Sequence, residues 1–170
     1  MAAESVDNYM LIAEKNMNNW IETEGSPFII VEQKYANEWN GQADYDSVCS
    51  ITDYLGKIYK NNHPILVMGD EPMAVRIVQK AGIILIVRWM YAPDYLTVEK
   101  LLENDITVGL EPIEEIEVKW DSTELVLFDS IFHYCEASVK MFLLLQDTSC
   151  IIKTYHYQNE EVALIIHSIQ

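Results

Sequence analysis

Long apolar runs are missing from this sequence. None, including Ile83 to Val87, which is closed by Arg88, comes near the roughly 20 residues that a bilayer-spanning helix needs. Met1-Ala2-Ala3 leads directly to Glu4 and Asp7, with no basic segment ahead of an apolar one. No secretory signal is therefore expected, and the default address is the cytosol. Cysteine is scarce: Cys49, Cys135 and Cys150 are an odd number without framework spacing, so they are expected to be reduced and to pack as small buried hydrophobes. Six glycines and five prolines fall singly, which punctuates turns and leaves no linker between independent domains. Basic residues are few, 11 against 27 acidic ones, for a net charge of -16 and a pI near 4.4. That balance argues against direct binding to nucleic acid or to an anionic membrane.

What is present is a core. Half of the 170 residues are hydrophobic, enough to exclude wholesale disorder and to bury an interior without metals or disulfides. Ser5 to Asn19 has the mixed pattern of a short helix and is expected to form an amino-terminal extension, with residues 20–170 as one α+β domain. From Trp20 on, short β-rich runs dominate: Phe28 to Val31, Val48 to Thr52, Leu55 to Tyr59, Ile65 to Met68 and Ile83 to Trp89. The last is unbroken in its apolar character, as a strand covered on both faces would be. Lys34 to Trp39 can form a helical turn before Asn40-Gly41, and Thr97 to Asn104 has helical spacing with Thr97 as a cap.

After Gly109 the reading is nearly all strand: Ile116 to Trp120, Leu125 to Phe128, Val139 to Leu145, Ile151 to Tyr157 and Val162 to His167. Asp121-Ser122 and Asn159-Glu160 stand where hairpin turns belong. In Ile113 to Val118, alternation puts Ile116 and Val118 on one face and Glu115 and Glu117 on the other. Short strands without β-α-β alternation predict an α+β fold of mostly antiparallel sheet with a few short helices. The pattern also allows two sheet-centred lobes meeting near Asp105 to Pro112.

The chemistry-bearing motifs are mostly absent. No Gly-x-Ser-x-Gly elbow occurs, and no glycine-rich phosphate loop or dinucleotide fingerprint. His133-x-Cys135 with Cys150 and His156 matches no closed zinc spacing, so no metal and no cofactor are expected. Paired carboxylates are available for acid–base work at Asp44 with Asp46, at Asp53 and at Asp70-Glu71, but among 27 acids adjacent ones arise by chance. A small hydrolase using Asp70 or Asp129 with a divalent cation stays open as an alternative, since both follow apolar strands. The charge itself is uneven, with eleven acids against three bases in residues 111–170. Such a run is either a solvated face or a surface that steers a basic partner.

Several stretches, taken in order, resemble the immunity protein 21 family of bacterial polymorphic toxin systems. They are Trp20-Ile21-Glu22-Thr23-Glu24-Gly25-Ser26-Pro27, Trp39-Asn40-Gly41, Asp44-Tyr45-Asp46-Ser47-Val48-Cys49, Met68-Gly69-Asp70-Glu71-Pro72, Val87-Arg88-Trp89-Met90-Tyr91-Ala92 and Leu125-Val126-Leu127-Phe128-Asp129-Ser130. The resemblance implies a non-enzymatic cytosolic protein that binds and neutralises a cognate toxin made beside it. An acidic inhibitor suits a basic toxin such as a nuclease. The expected contact residues are Asp44, Asp46, Asp53, Asp70 and Glu71 from the motif loops and Glu114, Glu115 and Glu117 from the acidic strand. Trp39, beside a turn and among polar residues, is the candidate exposed anchor. Trp20 and Trp89 are expected to be structural.

Overall fold

Phe28-Ile29-Ile30-Val31-Glu32 is buried at every position, and a strand with no exposed face needs layers on both sides. In the computed structural model, which describes residues 20–170, this segment is β1 (Phe28–Glu32), at the centre of a five-stranded sheet. Its neighbours are β3 (His63–Val67) and β7 (Glu124–Asp129), flanked by β2 (Gly56–Lys60) and β8 (Met141–Leu144), in the order β2-β3-β1-β7-β8. A second sheet of five strands has the order β4-β5-β10-β9-β6. Its members are β4 (Val75–Lys80), β5 (Ile83–Tyr91), β6 (Glu114–Lys119), β9 (Ser149–Gln158) and β10 (Ala163–Ile169). Every pairing in both sheets is antiparallel, so the fold is α+β and mostly sheet.

Two-residue periodicity sorts the side chains. Phe28 and Ile30 of β1, Leu66 of β3, Leu125 and Leu127 of β7 and Met141 of β8 share one core cluster with Val75, Ile77, Ile84, Ile86, Val118 and Ile152 of the other sheet. Each such aliphatic contributes roughly 1.5–3 kcal/mol through burial. The odd positions Ile29 and Val31 point the other way, into a layer with Ala36, Trp39, Val48, Val126 and Phe128. On the far side of the second sheet, Val87, Leu164 and Ile166 pack under Val98 and Leu102 of the helix α2 (Tyr95–Leu102). The two sheets thus share one core cluster between them. Each draws strands from both sides of residues 105–112, so that segment only links α2 to β6 and divides nothing.

Local chemistry explains most boundaries. Asn61 and Asn62, at φ 49° and 65°, close the β2–β3 hairpin, and Ala81-Gly82, at φ 47° and 81°, close β4–β5. Two left-handed residues match the twist of a two-residue hairpin. Asp121-Ser122 departs from expectation: β6 and β7 lie in different sheets, so the chain crosses between layers there rather than turning back. Val48 to Thr52 is also not a strand. Tyr45–Cys49 forms a short helix, α1, in which Val48 is buried and the Ser47 hydroxyl bonds back to the Asp44 carbonyl at 2.6 Å. The cap of α2 is Asp94, whose Oδ1 accepts from Thr97 N at 2.7 Å. The expected amino-terminal extension, residues 1–19, lies outside the described residues.

Candidate functional site

The two sheets meet at one end around a buried cation. Arg88 shares the inner face of β5 with Ile84 and Ile86 and is 1% exposed. A guanidinium there must find acceptors or destabilise the fold. Its Nη1 donates to the Tyr54 carbonyl at 2.8 Å, and its Nη2 to the Gly69 and Glu71 carbonyls at 2.7 and 3.1 Å. Burial lowers its pKa to about 10, against the opposing pull of Asp70, Glu114 and Tyr54, so it remains charged at neutral pH. Glu114, on the inner face of β6, answers from the other side. Its two oxygens accept from Tyr54 N at 3.0 Å and Leu55 N at 3.1 Å.

This clamp gathers part of the expected acidic set. Asp53, Asp70 and Glu71 sit exposed on the two loops that Arg88 ties together. The loops touch: a Cβ on Gly69 would stand 2.3 Å from the Asp53 carbonyl oxygen. Asp70 holds a left-handed φ of 61°, a conformation that aspartate tolerates better than most residues. Glu114 does not belong with Glu115 and Glu117, because it points inward to the loop amides while those two are exposed on the opposite face. Asp46 is exposed on α1. Asp44 is committed locally, accepting from Asn40 N at 2.8 Å and pairing with Lys60. β6 is an edge strand, and charges such as Glu115 and Glu117 on an edge also block unwanted strand addition.

Trp39 is corrected by the structure. Its side chain is 2% exposed, and its Nε1 donates to the Ser130 carbonyl at 2.8 Å. Polar sequence neighbours did not imply exposure, because the 3-10 turn Gln33–Glu38 rotates the indole under the first sheet. Trp20 and Trp89 are structural as expected, packing edge to face with centroids 5.4 Å apart. Of the thiols, only Cys150 is buried, whereas Cys49 and Cys135 are exposed and all three are free. Burial pushes the Cys150 thiol up. Cys135 Sγ lies 2.8 Å from His133 Nδ1, while Cys150 is in the inter-sheet core and His156 is exposed.

Asp129 is 7% exposed and is occupied by the fold. Its oxygens accept from the Thr23 hydroxyl at 2.8 Å, Glu24 N at 3.3 Å and Ile131 N at 3.1 Å. The motif segments are therefore hydrogen-bond partners of one another. Asp129 holds the Trp20–Pro27 segment, Ser130 holds Trp39, and Arg88 holds the Met68–Pro72 loop. Together they make one interlocked scaffold rather than a few scattered residues. The family model for immunity protein 21 matches residues 19–149.

The chain belongs to the immunity protein 21 family. Comparisons with curated proteins and with solved structures each gave no significant match. Membership in the family brings a toxin-neutralising role and a toxin partner. No helix among the described residues is long and apolar enough to cross a membrane.

Sequence reading missed a second cluster at the opposite end of β1. Glu32, His63 and Asp121 come from the end of β1, the start of β3 and the β6–β7 connection, and one ligand atom of each lies within 4.8 Å of the others. The only signal was a glutamate closing an apolar strand, which is an ordinary strand end until its burial is known.

Proposed function

We propose that this immunity protein protects its own cell by binding a basic toxin, such as a nuclease of a polymorphic toxin system, in the cytosol and without catalysis. The observation that carries the reading is the exposed negative charge. Asp46, Asp53, Glu71, Glu115 and Glu117 are exposed and have no ion pair among the described residues. With a net charge of -16, such a surface attracts a cationic partner over about a Debye length, roughly 8 Å at physiological salt, and raises the encounter rate. The proposed contact surface comprises the Asp53 and Asp70-Glu71 loops, α1 and the outer face of β6. Of the two aspartates offered for a metal-dependent hydrolase, Asp129 is already committed, accepting from Thr23, Glu24 and Ile131, while Asp70 is exposed.

Co-expression tests this reading. The wild-type protein restores growth of cells making the toxin domain encoded next to it. Reversal of Asp46, Glu71, Glu115 and Glu117 to lysine leaves folding intact and removes the protection. Asp70 is spared because its charge faces Arg88. Protection that survives all four reversals contradicts an acidic contact surface.

A further inference from the structure

We propose that Glu32, His63 and Asp121 form a binding site for a first-row divalent transition cation such as Zn2+, at the end of the first sheet. Glu32 is 1% exposed. Its Oε1 accepts from Asp121 N at 2.7 Å and Ser122 N at 2.6 Å, but its Oε2 is buried with no hydrogen-bond partner. A carboxylate oxygen withheld from water without a partner is costly, and a cation satisfies it. Glu32 and His63 line the same hollow, with Tyr35 and Glu38.

His63 is held for the task. Its ring stacks on Tyr35 with centroids 3.5 Å apart and planes 13° apart. Its Nδ1 faces Asp121 Oδ2 at 3.8 Å and its Nε2 faces Glu38 Oε2 at 3.9 Å, so neither nitrogen is within hydrogen-bonding distance of those carboxylates. A metal on Nδ1 leaves Nε2–H directed at Glu38, the carboxylate–imidazole–metal arrangement that orients many ligating histidines. Ligand atoms within 4.8 Å of one another must draw in by about an ångström to reach zinc distances near 2.0–2.2 Å. Asp121, with 59% of its side chain exposed and its Oδ2 accepting from the Tyr35 hydroxyl at 3.0 Å, can supply that movement while its other oxygen turns to the ion. The nearby Lys60 ammonium does not oppose the ion freely, because Asp44 already pairs with it. One imidazole and two carboxylates suit zinc and its first-row neighbours better than magnesium or calcium, which favour oxygen alone.

Calorimetric titration of Zn2+ into the chelator-treated full-length protein tests the site, with circular dichroism to verify folding of each variant. The wild-type chain takes up one ion and melts at a higher temperature with it, as linkage requires. His63→Gln and Asp121→Asn stay folded and weaken binding at least tenfold, whereas Glu117→Gln and Cys135→Ser leave it unchanged. Glu32→Gln serves only as a supporting variant, since that side chain also holds two backbone amides. Three results overturn the site: no saturable uptake, uptake unchanged in His63→Gln, or uptake abolished by Cys135→Ser.

Discussion

Arg88 and His167 are neighbours in charge, and each is governed by burial. Arg88 has carbonyl partners on both amino groups of its guanidinium, and removing it leaves the buried Gly69 carbonyl, the part-buried Tyr54 and Glu71 carbonyls and the Glu114 carboxylate without their cation. Arg88→Met is expected to destabilise the fold by about 3–5 kcal/mol in urea denaturation. A near-neutral result would show that the clamp contributes little. His167 is 0% exposed, and its Nδ1 sits 2.8 Å from the Thr154 hydroxyl. Burial first, and the Arg88 charge second, hold its pKa well below 6.5, so the native imidazole is neutral. Below about pH 6.5 the unfolded chain binds a proton that the native state refuses. Stability is therefore full above that pH and falls as pH drops, by up to about 1.4 kcal/mol per unit. His167→Gln is expected to flatten the difference in urea midpoint between pH 7.5 and 5.5, and an unchanged slope would reject His167 as its source. Neither role was legible in the sequence. Arg88 reads there only as the end of an apolar run, and burial of a polar residue is a property of the assembled sheets.

Between elements, the contacts that matter join segments far apart in the chain. Gly41 has φ +59°, and a Cβ there would stand 2.7 Å from His133 N and 2.8 Å from the Ile131 carbonyl oxygen. These are backbone atoms that cannot move aside cheaply. Gly41→Ala is expected to cost about 1–3 kcal/mol. Gly109→Ala, at φ +80° with nothing within 4 Å, carries only the conformational cost and is expected to be milder in the same denaturation assay. Equal effects would deny the close approach. Strands were legible where burial alternates or saturates, as in β1, β5, β7 and β10. The α1 segment was misread because Val48, Cys49 and Ile51 favour strand by composition, while serine-to-carbonyl bonds and the seat of Val48 under the first sheet favour helix. Asp121-Ser122 was misread because turn chemistry specifies a change of direction and not the sheet that the next strand joins.

At the scale of the whole molecule, interlocked family motifs build the scaffold, and the proposed function assigns the exposed carboxylates to a partner. The basic partner of the proposed function rests on composition, 27 acids against 11 bases. Which acids are free was not legible, since Glu114 and Asp129 differ from Glu115 and Glu71 only in where the fold aims them. The most direct test is calorimetric titration of this protein into the purified toxin domain encoded beside it, at low salt and at about 0.15 M. The expected result is one-to-one binding, nanomolar or tighter, that weakens or slows as salt rises. No binding at either salt, or binding indifferent to salt, would contradict an acidic inhibitor steered to its toxin by charge.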